Sequence, residues 1–253
     1  MTNQKKAYIF ALSAILFWST AAAAFKIALR YVDYVQLLLF ASLTTVVILT
    51  IVLVFQGNLK SLIKQSAREM FNSMILGFLN PFLYYMVLLK AYSVLPAQIA
   101  QPLNYTWPIM LVILSVPLLK QPLTLKSFIA ILISFSGVFV ISTRGKISFD
   151  IENPFGVFLA VGSSVIWALF WILNVRDKRN EIVKLFFNFV FGTFFILIAI
   201  WIMPDTHIGY SNIKGLYAAI YVGFFEMGIT FVLWLKALQL TESNDKISNL
   251  VYL

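Results

Sequence analysis

Cysteine is absent from the 253 residues, and histidine occurs once, at His207. Without a thiol there is no disulfide, no thiolate nucleophile and no cysteine-based zinc site, and a single imidazole cannot complete the histidine-based ones. Charge is scarce as well: 11% of residues are Asp, Glu, Lys or Arg against 61% apolar, with a mean hydropathy of +0.89. Soluble domains carry about a quarter charged residues, so a water-soluble fold of this length could not cover its apolar surface. Lipid is the solvent that fits. Acidic residues are the rarer charge, 10 against 19 basic ones, for a net +9. The cations occupy short gaps between apolar runs and form no stripe or tail. That pattern belongs to membrane topology, and no nucleic-acid partner is expected.

Catalytic signatures are missing too. The sequence holds no paired carboxylates, H-E-x-x-H, G-x-S-x-G or phosphate loop, so no enzymatic reaction, cofactor or metal is expected.

What is present is a series of apolar runs, each near the roughly 20 residues needed to cross about 30 Å of hydrocarbon. They fall at 8–29, 34–55, 70–90, 96–119, 124–141, 155–175, 183–203 and 213–236, with a ninth beginning near Ser243. Lys5, Lys6 and the small residues Ala21 to Ala24 could frame a signal peptide. The first run continues to Leu29, however, and a later run resembles it, which favours a spanning helix. With the N-terminus on the cytoplasmic side, thirteen of the 19 basic residues lie inside, among them Lys60, Lys64, Arg68, Arg176 and Arg179. The other six are Lys26, Arg30, Lys90, Arg144, Lys146 and Lys214. The bias places the N-terminus in the cytoplasm and 144–152 outside.

The chain repeats itself. Trp18 matches Trp167 at an offset of 149. Val35, Leu37, Thr45, Ile48 and Leu49 match Val183, Leu185, Thr193, Ile196 and Leu197 at 148. Gly77-Phe78 and Leu89-Lys90-Ala91 match Gly223-Phe224 and Leu235-Lys236-Ala237 at 146. Each unit holds five helices, and an odd number inserts the second unit upside down. Inverted repeats are a signature of secondary transporters, with a substrate site near the midplane between the halves.

The five-plus-five plan, the run Ile15-Leu16-Phe17-Trp18-Ser19-Thr20 and the segment L-K-A-Y-S-V-L-P-A-Q at 89–98 resemble the EamA-type permeases of the drug/metabolite transporter superfamily. Asn104-Tyr105-Thr106-Trp107-Pro108 is similar to the fourth helix of its amino-acid exporters. The resemblance implies an all-α integral membrane bundle of two inverted five-helix repeats, at 1–145 and 146–253. It also implies a multi-pass permease of the inner (plasma) membrane, moving a small polar metabolite outward by alternating access. Amino acids are one candidate substrate class, protons a candidate coupling ion, and the protein is a monomer or homodimer. Family members have ten helices, so a chain of about eight and a half is expected to be an incomplete transporter. A lipid flippase or a channel is the alternative.

Glu226 stands out within the apolar runs. A charged group at mid-bilayer costs about 2.5–3.5 kcal/mol on insertion scales and survives where water, a partner or a function offsets it. Its repeat mate is Asn80, beside Pro81. Pro96, Pro102 and Pro108 punctuate the fourth run; Pro102 frees the carbonyl of Gln98 and Pro108 that of Asn104. Freed carbonyls need protein or water, so this helix should line a cavity. Gln101, Asn104 and Tyr105 share one of its faces, and Trp18 and Trp167 lie mid-helix. The substrate-binding set expected from these features is Glu226, Asn80, Trp18, Gln101, Asn104, Tyr105 and Trp167, facing a cavity between the first, third, fourth, sixth and eighth runs. The competing reading is structural: Glu226 hydrogen-bonded in the bundle, a merely kinked fourth helix, tryptophans that pack, and Lys26, Lys90 and Lys236 snorkelling to the interface.

Overall fold

A computed structural model describes residues 2–120, 153–203 and 212–241, together with Ile129, Ile133, Ser136, Gly137, Val140, Ile247 and Leu250. Among the described residues there are seven helices long and apolar enough to cross a membrane. They are α1 (Asn3–Ala28), α2 (Tyr34–Phe55), α3 (Ala67–Val94), α4 (Ala97–Leu118), α5 (Pro154–Asn174), α6 (Glu181–Ile202) and α7 (Ile213–Leu240). The fifth expected run, at 124–141, lies almost wholly outside the described residues, as do 144–152, His207 and most of the ninth run. The exterior of the bundle is apolar: Leu16 is 66% exposed and Trp201 87%. Helices satisfy their own backbone groups, as a lipid-facing surface requires.

The helix starts are written in side chains that accept otherwise orphaned N–H groups. Asp33 Oδ1 accepts from Val35 and Gln36 at 2.7 and 3.0 Å. Asn180 Oδ1 accepts from Ile182 and Val183, and Asn153 Oδ1 from Gly156. Ser66 and Glu69 form a reciprocal capping box at the start of α3.

Three helices are interrupted in their middles. In α3 the proline ring of Pro81 disfavours helical angles for the residue before it, and Asn80 is extended at φ −149°, ψ 120°. In α4 the helical segment Ala97–Asn104 ends and Trp107–Leu119 begins after a break at Tyr105 and Thr106. In α7 the turn over Val222–Gly228 is wound wide, with five-residue spacing. The Thr230 hydroxyl donates back to the Phe225 carbonyl, drawing the chain together again.

The packing exchanges the two halves. The first helix of each half lies on the third helix of the other, α1 on α7 and α5 on α3, while α2 packs along α6. Ala7, Ala11 and Ala14 form a small-residue stripe on α1, fully buried with Trp234 and Ala237 of α7 in one cluster. Small side chains let the helices approach, which supplies packing energy in lipid. The repeat-mated glycines do the same between halves. Gly223 of α7 is seated on the Ala41 backbone of α2, and Gly77 of α3 on the Asn188 backbone of α6. Thr45 Oγ1 on α2 adds a 2.9 Å hydrogen bond to the Gly223 carbonyl. The architecture is the expected all-α bundle of inverted repeats.

Candidate functional site

Between α1, α3, α4, α5 and α7 lies a cleft enclosing about 540 Å³, part of it continuous with the surroundings. Its lining comes from every interrupted helix. Spacing of three or four residues along α1 brings Trp18, Ala21, Ala22 and Phe25 to one face. Tyr84, Leu88 and Tyr92 repeat every fourth residue after the Asn80 break in α3. The broken α4 contributes Gln101, Asn104, Tyr105 and Trp107; α5 gives Trp167, and the wide turn of α7 gives Glu226.

Glu226 is held from one side. The Tyr85 hydroxyl donates to its Oε1 at 3.2 Å, while Oε2 is shielded from solvent and has no hydrogen-bond partner among the described residues. A wide turn of this kind re-aims one side chain out of helical register, and such turns cluster at functional sites.

Asn104 ties three helices at the rim of the break. Its Oδ1 accepts from Tyr84 at 3.2 Å, and its Nδ2 donates to Ser163 Oγ at 2.9 Å, which in turn donates to the Ala160 carbonyl. Between the lining residues Tyr105 and Trp107, the Thr106 hydroxyl donates to Ser164 Oγ at 2.9 Å. Freed backbone in α4 is thus accompanied by a side-chain network joining it to α5.

The aromatic walls brace one another. Tyr84 lies against Trp167 with ring centres 4.6 Å apart, and Trp167 meets Phe231 edge-on at 5.6 Å. Trp18 packs on Trp234 at 5.2 Å, and Phe25 on Tyr92 at 5.2 Å. Rings held on several sides cannot swing freely, so the walls are pre-shaped.

Six of the seven residues expected from sequence line this cleft: Glu226, Trp18, Gln101, Asn104, Tyr105 and Trp167. Asn80 does not. It is fully buried in the α3 break, away from the cleft, and both atoms of its amide lack a partner. The extended backbone at Asn80 and the wide helical turn at Glu226 aim matched positions differently. Sequence reasoning missed Tyr84, Tyr85 and Tyr92, although Tyr84, Leu88 and Tyr92 were legible as a face. It also missed Phe25, Ala21 and Ala22, one and two turns along from Trp18.

The charged groups near helix ends have other occupations. Lys26 Nζ donates to the Tyr92 and Leu95 carbonyls at 2.8 and 3.1 Å, at the C-terminal end of α3. Lys90 lies over the Tyr34 ring at 5.1 Å. Lys236 sits beside a small polar pocket with Gln56 and Asn180.

Between α5 and α6, Arg179 bridges the halves. Its guanidinium donates to Gln65 Oε1 at 3.0 Å, to Ser73 Oγ at 2.7 Å and to Asp177. Burial alone would raise the Asp177 carboxyl, but the hydrogen bonds and charge of Arg179 outweigh it and hold Asp177 below its ordinary range.

Comparison with known proteins settles the family. A family model described as the EamA-like transporter family matches residues 5–143 and 154–253. The chain belongs to the EamA-like transporter family. It is therefore a multi-pass membrane protein. A curated relative, an "Uncharacterized transporter in sor 3'region" of Acidianus ambivalens, is 29% identical over 150 residues. That match spans 59% of this chain and 57% of the relative. A solved structure described as "Crystal structure of protein" has the same fold, with a TM-score of 0.69 at 18% identity. It covers 98% of this EamA-like chain and 84% of its own.

Proposed function

We propose that the protein is a secondary transporter that carries a small polar metabolite through this cleft by alternating access, with net movement outward. Amino acids are one candidate class, from the likeness of 104–108 to exporter helices, and protons are a candidate coupling ion. The observation that carries the reading is Glu226, an ionisable side chain half-way along a membrane helix, lining a cleft and carrying one oxygen with no partner among the described residues. The broken helices support it, because irregular backbone at membrane depth is tolerated where it borders a cavity. Repeats at 1–145 and 146–253 supply the two rocking halves. The excess of Lys and Arg in alternate loops supports a cytoplasmic N-terminus in the inner (plasma) membrane.

A metabolite-uptake screen in everted vesicles, run with and without a proton gradient, tests the reading. Uptake of at least one small polar metabolite is expected, rising when the gradient is imposed. In the Glu226→Gln variant that uptake should fall about tenfold or more, with insertion intact. Lipid scrambling or passive ion conductance in place of saturable uptake would replace the reading with a flippase or a channel. Unchanged uptake in Glu226→Gln would return Glu226 to a structural role.

A further inference from the structure

We infer that the cleft selects an organic ammonium ion with an apolar body and no anionic group; this rests on reading the cleft as the translocation site. Three observations converge. The unpartnered Glu226 Oε2 is a strong acceptor already shielded from water, and Tyr85 leaves it free by taking only Oε1. Aromatic rings supply seven of the thirteen lining side chains, Trp18, Trp167 and Tyr92 among them. Their faces carry the negative end of the ring quadrupole, so a cation among them is attracted and an anion repelled. Among the described residues no Lys, Arg or His lines the cleft. Lys26, next in sequence to the lining Phe25, does not itself line the cleft and donates to the Tyr92 and Leu95 carbonyls.

The consequence separates substrate classes. An ammonium group finds a carboxylate and π-faces. A zwitterion brings a carboxylate that an ionised Glu226 would meet as a like charge, with no Lys, Arg or His among the described lining residues to offset it. A wholly anionic metabolite meets only repulsion. The amides of Gln101 and Asn104 suit a hydroxyl or neutral polar substituent on the cation and supply no compensating charge. The aromatic walls reward an apolar body. The small polar metabolite of the transporter reading is thereby narrowed to an amine, and an amino acid with a free carboxylate is disfavoured.

The test uses three probes on one skeleton: phenethylamine, phenylalanine and 3-phenylpropanoate, titrated into the purified full chain with tryptophan fluorescence and calorimetry as readouts. Phenethylamine should bind about tenfold or more tighter than phenylalanine, and 3-phenylpropanoate weakest. Glu226→Gln should remove the preference of phenethylamine over phenylalanine while the melting transition persists. The probe ranking on the unaltered chain stands as a test even where that variant fails to fold. Equal binding of the three, tighter binding of phenylalanine or 3-phenylpropanoate, or no binding of phenethylamine at millimolar concentration overturns the inference. A carboxylate-bearing substrate found in the vesicle screen also overturns it and leaves the transporter reading standing. Ranked binding without counterflow of phenethylamine would do the reverse, keeping the cation site and removing transport from it.

Discussion

Asn104 shows how much one amide can hold. It accepts from Tyr84 of α3 and donates to Ser163 of α5 from a broken stretch of α4. Replacing it with leucine leaves both partners short of a bond in a buried place, which costs about 1–3 kcal/mol for each group left unsatisfied. Asn104→Leu should therefore lower the unfolding midpoint in detergent and weaken ligand binding, whereas Asn104→Gln should recover part of both. A leucine variant as stable as the parent would remove this network from the account. Asp177 carries a pH dependence of known sign. Its carboxyl is held below the ordinary value of 3.8 by Arg179. The stability it contributes is thus fully present above that value and is lost as pH falls through the lowered folded one. Arg179→Ala should lower the melting temperature at neutral pH and flatten its decline in that acid range; melting curves from about pH 7 down to about pH 3 check both. At this scale the sequence was informative where chemistry is unusual for its depth. A carboxylate in an apolar run, a proline-broken polar face and mid-helix tryptophans led to six residues of the cleft. Asn80 failed because an offset transfers depth along the membrane and not side-chain direction, which Pro81 resets locally.

Helices α3, α4 and α7 contribute to the cleft where each is interrupted or just beyond. The α4 break was legible, since Pro102 and Pro108 each remove a donor and a carbonyl must look elsewhere. The α3 break follows from the residue ahead of Pro81. The wide turn in α7 has no proline behind it, only Gly223 and Gly228 and a partner surface at α2, so tertiary contact set it and no local signal announced it. The close approach at Gly223 gives a direct check. A methyl added there would run into the Ala41 carbonyl and Thr44, backbone and side chain that cannot both yield. Gly223→Ala should destabilise by about 1–3 kcal/mol through overpacking. Gly162→Ala on α5 meets nothing within 4 Å and should be neutral or stabilising by up to about 1 kcal/mol. Equal midpoints for the two variants would contradict this view of how the halves touch.

The whole molecule is two halves whose helices answer one another: first on third in both directions, second along second. That exchange was legible in the repeat offsets, because glycines needed at close contacts recur, Gly77 with Gly223. The substrate was not legible at that scale. It depends on which side chains converge across five helices, and convergence is a property of packing. The alternating access proposed for this cleft has a consequence that no static bundle shares: a residue on the cleft wall would be reachable from each side of the membrane in turn. The natural absence of cysteine makes this measurable with single introduced thiols. Ala22 lines the cleft, and Ala11 is fully buried in the α1–α7 contact. An impermeant maleimide should label Ala22→Cys in right-side-out vesicles and in inverted ones, and Ala11→Cys in neither. Labelling of Ala22→Cys from one side only, or from none, would contradict alternating access through this cleft.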